Sequence, residues 1–392
     1  MRTLIFLLCS LSFLSAGPYE ERINWITHSI EGVIRSVDPT ALVGVKVITL
    51  DTGKTLYEKN GEKRFVPASS LKLFTAAAAL DRFGEEGLFE TKLVTDGTIE
   101  KRVLKGSCYL IGSGDPSLKG EDLIELVDKL RMSEITGDLY LDITCFDEVA
   151  KGPGWMWDET LAYWSVPLSA LNIEHNYMMG QVIVNPEKFV ASILKGLLDR
   201  KGILLRGELK FGKAPEEASL LAIHYSEPIK ELIKPVLEDS NNLYADCLFK
   251  KMGGSWEKGR ESVETFLKEC IHLDPEELRV LDGSGLSRYN LVSPDQMVLF
   301  LKEMQYHKSF RRALAVSGEK GTLKRRMLKD GGLISGKTGS MTGVSSLCGY
   351  IKTDSKKELG VAIFINGYMK DGKEIKTLIE DQICHILVRG AP

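Results

Sequence analysis

The chain has six histidines, all scattered, and seven cysteines, none of them in a CxxC pair; no HExxH occurs either. A metal centre is therefore unsupported, and no cofactor is implied. Basic charge is not in excess: 51 Lys and Arg face 54 Asp and Glu, for a net charge of −3. That balance excludes the footprint of a nucleic-acid binder and of a polybasic membrane anchor, and it leaves small or uncharged-polymer substrates open. Beyond the N-terminus no apolar run approaches the roughly 20 residues that cross a bilayer. Internal repeats and low-complexity tracts are also lacking. What is there is ordinary globular composition, 43% hydrophobic and 27% charged, in 392 residues, enough for two or more packed domains.

At the N-terminus Arg2 precedes an apolar run from Leu4 to Leu14, followed by Ser15, Ala16 and Gly17. This is the layout of a secretory signal peptide, expected to occupy residues 1–17 and to send the mature chain to the periplasm. A buried opening helix is the plainer alternative, but the basic flank and small-residue exit favour export. Cys9 lies inside the apolar run and not at a cleavage position, which argues against a lipoprotein anchor. The mature chain keeps Cys108, Cys145, Cys247, Cys270, Cys348 and Cys384, which are compatible with disulfides or with buried thiols. Peripheral membrane contact and oligomeric state stay open.

After the leader, Ile23, Ile26, Ile30, Val33 and Ile34 fall on one helical face. "LVGVKVITLDTGKTLYEK" then alternates around Asp51-Thr52-Gly53 as a hairpin does. "VPASSLKLFTAAAALDRFG" reads as a buried helix starting near Ser69, with Ser69 as its cap and Gly84 as its stop. Over residues 89–219 the texture changes to short strand-like pieces and an aromatic block, "GWMWDETLAYW". This predicts a mostly β insertion in an α/β domain made of residues 18–88 and 220–392. Helical patterning resumes at "SEPIKELIKPVLEDSNNLYADCLFKKM", and the end alternates again through "LISGKTGS", "SSLCGYIKT" and "LGVAIFING".

Gly331, Gly336, Lys337 and Thr338 fit G-x-x-x-x-G-K-[ST], the loop that cradles nucleotide phosphates. That loop needs a helix opening at its Lys-Thr, and "GSMTGVSS" is poor helix sequence. The same letters contain Lys337-Thr338-Gly339, which in serine acyl-transfer enzymes lies on a strand edge. Two further elements support that frame. Ser69 and Lys72 form S-x-x-K, with the amine one turn from the hydroxyl, so that a lysine of lowered pKa can act as base. Ser240-Asn241-Asn242 forms S-x-N, in which a second serine can relay a proton and an amide can orient both lysine and substrate. A Lys-Thr pair can bind an anionic chain end.

With "PASSLK", "SNNLYAD", "DGSGLSR" and "SGKTGS" in this order, the chain resembles the penicillin-binding serine D-Ala-D-Ala carboxypeptidases of low-molecular-mass class C. "LIGSGDPSL", "ITGDLYLD" and "GWMWDETLAYWSVPLSALNIEHN" resemble that family's inserted module. The resemblance implies a transpeptidase-like (β-lactamase-like) domain, a central antiparallel sheet flanked by helices. It implies that Ser69 attacks the carbonyl of the penultimate D-Ala with Lys72 as base, and that Ser240 passes a proton to the leaving D-Ala. Asn242 would hold Lys72 and the substrate amide, Lys337 and Thr338 the terminal carboxylate, and Gly339 and Ser340 the adjoining edge. The N–H groups of Ser69 and Ser340 would form the oxyanion hole, and β-lactams would acylate Ser69.

The family's pocket for a diaminopimelate side chain of the peptidoglycan stem peptide matches Trp155, Asp158, Tyr163, Leu286, Arg288, Met341 and Thr342. Asp158 can pair the amine, Arg288 the carboxylate, and the rings the methylene stem; each aromatic could equally be core. Two departures stand out: the interval from Lys72 to Ser240 is short for the larger members, and Thr342 replaces their usual serine. A β-lactamase would need a helix-borne glutamate to activate the deacylating water, and none stands in a matching setting. An inactive peptidoglycan-binding scaffold is disfavoured by the intact Ser69, Lys72, Ser240 and Lys337.

Overall fold

The computed structural model describes residues 17–391; apart from Gly17, the expected signal peptide lies outside the described residues. The first helix, Pro18–Val37, turns Ile26, Ile30 and Ile34 inward against Ile383, Leu387 and Val388 of the last helix, Asp381–Gly390. Between these two helices and the rest of the domain stands one six-stranded sheet. Its order is Ala315–Val316, Ile334–Met341, Val344–Lys352, Glu358–Asn366, Leu42–Thr49 and Thr55–Lys59, with every pair antiparallel. The N-terminal hairpin turns at Gly53, whose φ of +71° suits glycine, and it joins strands from the far end of the chain.

Alternation along the central strands divides the core in two. Leu347, Ile351, Val361, Ile363 and Ile365 face the terminal helices, while Cys348, Tyr350, Ala362 and Phe364 face the helical layer on the other side. In that layer the helix Lys72–Phe83 lies at the centre, with Ala76, Ala77, Ala78 and Ala79 all buried. Small side chains let three helices, Ile229–Leu237, Asn242–Lys251 and Trp256–Cys270, pack closely around it. The helix does not start at Ser69 as its sequence suggests. A 3-10 turn, Ala68–Leu71, precedes it, because Ala68 sits in the left-handed region at φ +48° and cannot continue a helix. Ser69 caps nothing there.

The insertion carries a five-stranded sheet in the order Leu209–Phe211, Leu139–Asp142, Cys108–Ile111, Glu90–Thr95, Ser219–Tyr225. Its parallel pairs are bridged by the helices Gly120–Asp128 and Pro186–Lys201. The last strand runs beyond residue 219, where the sequence texture changes, and pairs antiparallel with Glu90–Thr95. The six cysteines among the described residues are free thiols; Cys108, Cys247, Cys348 and Cys384 are buried. No described helix is long and apolar enough to cross a membrane.

The C-terminal helix is tied to the sheet by charge as well as by apolar packing. Arg326 Nη2 lies 2.8 Å from Glu380 Oε2 and 2.5 Å from Asp381 Oδ1, and Ser345 Oγ donates to Glu380 Oε1 at 2.6 Å. Glu380 is fully buried. Arg326→Leu strands that carboxylate without its cation and is expected to lower unfolding free energy by about 3–5 kcal/mol in denaturant titration.

Candidate active site

The left-handed Ala68 throws Ser69 out at the foot of the Lys72–Phe83 helix, and two glycines let the neighbouring chain close on that turn. A Cβ on Gly285 would lie 2.0 Å from the Ala68 carbonyl oxygen, and one on Gly339 would lie 2.7 Å from the Pro67 carbonyl oxygen and 2.2 Å from Ser346 Oγ. The Pro67 carbonyl is also held by Ser70 Oγ and Ser346 Oγ, each donating at 2.7 Å. The serine turn is thereby clamped between the sheet edge and the segment Asp282–Ser287.

One helical turn on, Lys72 has no exposed surface. Its Nζ donates to Ser69 Oγ at 2.9 Å, to Asn242 Oδ1 at 2.6 Å and to the Ser284 carbonyl at 2.5 Å. Burial lowers its pKa to about 8, against the opposing pull of Asp246 and Asp282. Asn242 opens its own helix and spends its amide in two directions, since Nδ2 donates to the Trp164 carbonyl of the insertion at 2.7 Å. Ser240, two residues earlier, sits at φ +65°.

Lys337 comes from the sheet. Among the described residues its strand pairs on the outer side only through Ser335 and Gly336, with the short strand Ala315–Val316, so that the edge from Lys337 to Met341 carries no further described strand. Lys337 is buried, with Nζ donating to the Thr338 carbonyl at 2.8 Å. Burial, then repulsion from Lys72, holds its amine well below the usual lysine range, and Asp239 opposes that shift. Thr338 Oγ1 donates to Thr322 Oγ1 at 2.8 Å. The strand, with no helix at Lys337-Thr338, removes the phosphate-loop alternative.

A cleft of about 570 Å³ opens in front of this cluster. Of the residues named from sequence, Ser69, Ser240, Asn242, Ser340, Tyr163, Leu286, Met341 and Thr342 line it. Lys72, Lys337 and Gly339 are buried and Thr338 is half-buried, and none of the four is in the lining. Trp155 does not line it: the half-buried ring packs edge-on against Trp256 at the margin of the core, and its Nε1 donates to Asp282 Oδ2 at 2.8 Å. Asp158 is exposed on the short turn Trp157–Glu159, whereas the neighbouring Glu159 faces the cleft. Arg288 lies to the side, with Nη1 donating to the Thr342 carbonyl at 3.2 Å. Sequence reading missed Glu159, Trp164 and Asp239 in the lining, and Ser284, whose contact with Lys72 is a backbone carbonyl that leaves no residue signature. Among the described residues no trio of His, Cys, Asp or Glu is placed to hold a metal ion.

This architecture, a serine turn packed beside the edge of an antiparallel sheet and capped by a sheet-rich insertion, is that of the penicillin-binding peptidases. It superposes on penicillin-binding protein 4 (DacB) from Haemophilus influenzae with a TM-score of 0.84, at 24% identity, covering 92% of this chain and 99% of that one. A predatory peptidoglycan endopeptidase from Bdellovibrio bacteriovorus shares the fold at a TM-score of 0.59 and 18% identity, covering 88% of this chain and 91% of that one. The chain belongs to the D-Ala-D-Ala carboxypeptidase 3 (S13) family, whose sequence model matches residues 27–187 and 181–388. It is 28% identical to the D-alanyl-D-alanine carboxypeptidase of Actinomadura sp. strain R39, over 88% of this chain and 82% of that one. It is 27% identical to the D-alanyl-D-alanine carboxypeptidase DacB of Haemophilus influenzae, over 86% and 87%. A serine-type D-Ala-D-Ala peptidase, a hydrolase, is thereby assigned.

Gly285, at φ +81°, is the tightest contact of the serine turn. Gly285→Ala adds left-handed strain of about 1–2 kcal/mol and drives a methyl into the Ala68 carbonyl. The expected result is a lower melting temperature together with at least a tenfold slower release of D-Ala from a D-Ala-D-Ala peptide; an unchanged rate would show that the clamp is dispensable.

Proposed function

We propose that the protein is an exported, periplasmic D-Ala-D-Ala carboxypeptidase that also cleaves D,D-cross-links between peptidoglycan stem peptides, through an acyl-enzyme on Ser69. The observation that carries this reading is the Lys72 amine, buried and 2.9 Å from Ser69 Oγ. An amine held near pKa 8 is neutral in a useful fraction at physiological pH and can take the hydroxyl proton as Ser69 attacks the penultimate D-Ala carbonyl. The N–H groups of Ser69 and Ser340 receive the developing oxyanion. Ser240 passes the proton to the leaving D-Ala nitrogen, and water then hydrolyses the ester. β-Lactams, with a strained amide in place of the peptide, acylate the same oxygen.

Substrate placement follows from the open strand edge. A peptide laid along Lys337–Met341 as an added strand gains backbone hydrogen bonds there, with its terminal carboxylate toward Lys337 and Thr338. The diaminopimelate side chain then extends between Tyr163, Leu286, Met341 and Thr342. Its amine meets the acidic turn of Asp158 and Glu159, its carboxylate meets Arg288, and Trp155 supports the pocket from behind through Asp282. The endopeptidase half is favoured by the likeness to a peptidoglycan endopeptidase fold.

Two measurements bear on this reading. On defined muropeptides, mass spectrometry is expected to find loss of one terminal D-Ala from monomers and conversion of cross-linked dimers to monomers, both abolished in Ser69→Ala. Loss of D-Ala alone would remove the endopeptidase half, and no product would remove catalysis. Because burial lowers the Lys72 pKa, and the neutral amine is the active form, kcat/KM is expected to rise with pH through about 8 and level off above it. A profile already flat from pH 5 to 9 would rule out Lys72 as the base.

A further inference from the structure

Behind Lys72 lies a buried carboxyl that the mechanism above does not use. Asp246 has no exposed surface and stands one turn after Asn242 on the helix Asn242–Lys251, so both side chains point toward the same lysine. Its Oδ1 accepts from the backbone N–H groups of Gly283 at 2.9 Å and Ser284 at 2.8 Å. Ser284 in turn presents its carbonyl to Lys72 Nζ at 2.5 Å, and Gly283 presents its own to Thr75 Oγ1 at 2.8 Å. Asp246 Oδ2 has no hydrogen-bond partner among the described residues. A neutral acceptor would hold the two N–H groups without the cost of an unsatisfied buried carboxyl oxygen. The charge itself therefore has to serve something, and the cation on the far side of the same short turn is Lys72.

The geometry points to Asp246 as a positioning residue for acylation: it fixes the Gly283–Ser284 turn that aims the Lys72 amine at Ser69, and its negative charge sets how firmly Lys72 holds its proton. The titratable groups around it are Lys72 from the Lys72–Phe83 helix, Asp282 from the facing segment and Cys247 from its own helix, with Lys337 and Asp239 beyond Lys72. Asp282 also favours a charged Lys72, but it cannot hold the Gly283–Ser284 N–H groups. Both Asp282 oxygens are already engaged, Oδ1 by Gly285 N and Asn290 Nδ2, and Oδ2 by Ser287 N and Trp155 Nε1. Burial and the neighbouring Asp282 push the Asp246 carboxyl well above the ordinary carboxylate range and so disfavour its charge; Lys72 opposes that shift, so the two charges support one another.

This inference rests on Lys72 being the base for Ser69, and its test separates the two. The readouts are the pH profiles of kcat/KM on a D-Ala-D-Ala peptide and of penicillin acylation at Ser69, in Asp246→Asn and Thr75→Val. Asp246→Asn keeps an acceptor for the two N–H groups and removes the charge. The acidic limb is expected to move to lower pH by about one unit, and the plateau to fall about tenfold as the amine becomes a weaker base. Thr75→Val loosens the same turn without altering charge, so its plateau should fall several-fold with the limb in place. A profile of Asp246→Asn that superimposes on wild type overturns the charge role, and a wild-type plateau in Thr75→Val overturns the turn's role. Should Asp246→Asn show no cooperative melt, the Thr75→Val arm decides. Wild-type protein that penicillin never labels at Ser69 would sink the underlying reading instead.

Discussion

An ammonium group taken wholly out of water must find oxygen atoms to replace it, and at Lys72 three separate stretches of chain supply them. Ser69 comes from the turn before its own helix, Asn242 from the start of another helix, and Ser284 from the segment that packs on the serine turn. None of the three could be moved far without leaving a buried charge unsatisfied. The placement of the helical layer against the sheet follows from that demand as much as from apolar packing. The alanine run Ala76–Ala79 lets the flanking helices approach closely enough for Asn242 to reach the lysine and for Asp246 to reach the Gly283–Ser284 turn beside it.

The insertion belongs to the same arrangement and does not stand apart from it. It offers the Trp164 carbonyl to Asn242, the Trp155 indole N–H to Asp282 and the Val149 carbonyl to Trp256 Nε1. Asn172, fully buried in the insertion, reaches Cys247 Sγ at 3.3 Å, next in sequence to Asp246. A loop so connected holds one wall of the cleft and restrains the asparagine that orients the lysine. It also explains why Trp155, which from sequence could be pocket or core, packs against the margin of the core: its indole N–H meets the buried carboxylate of Asp282.

Much of this was legible in the sequence, for reasons that differ by element. The opening hairpin announces itself through alternation and Gly53, and the strands Ile334–Met341 and Val344–Lys352 through the same period. The side-chain members of the Lys72 cluster, Ser69 and Asn242, were readable from spacing, because S-x-x-K and S-x-N demand particular residue types. The Ser284 carbonyl was not, since any residue carries one. The 3-10 entry at Ala68 was hidden as well, because alanine is a strong helix former and its left-handed backbone is imposed by contacts from Gly285 and the sheet. Asp246 lay in plain view within "SNNLYAD", but its meaning depends on a segment nearly forty residues away that folding brings to it.

Two buried amines, Lys72 and Lys337, face one another across this cluster, and each disfavours charge on the other. On the proposed mechanism they need opposite states, neutral for the base and charged for the anchor of a carboxylate. Among the described residues Asp239 is the carboxylate that favours a charge on Lys337. A substrate carboxylate arriving there favours the charged anchor, and by repulsion a charged Lys337 favours the neutral base. Binding of the chain end and activation of Ser69 then become one event, which a peptide lacking the terminal carboxylate could not set off as well. On that mechanism the coupling gives a physical reason for a site built around two desolvated lysines to prefer a substrate with a free carboxylate beside the scissile bond.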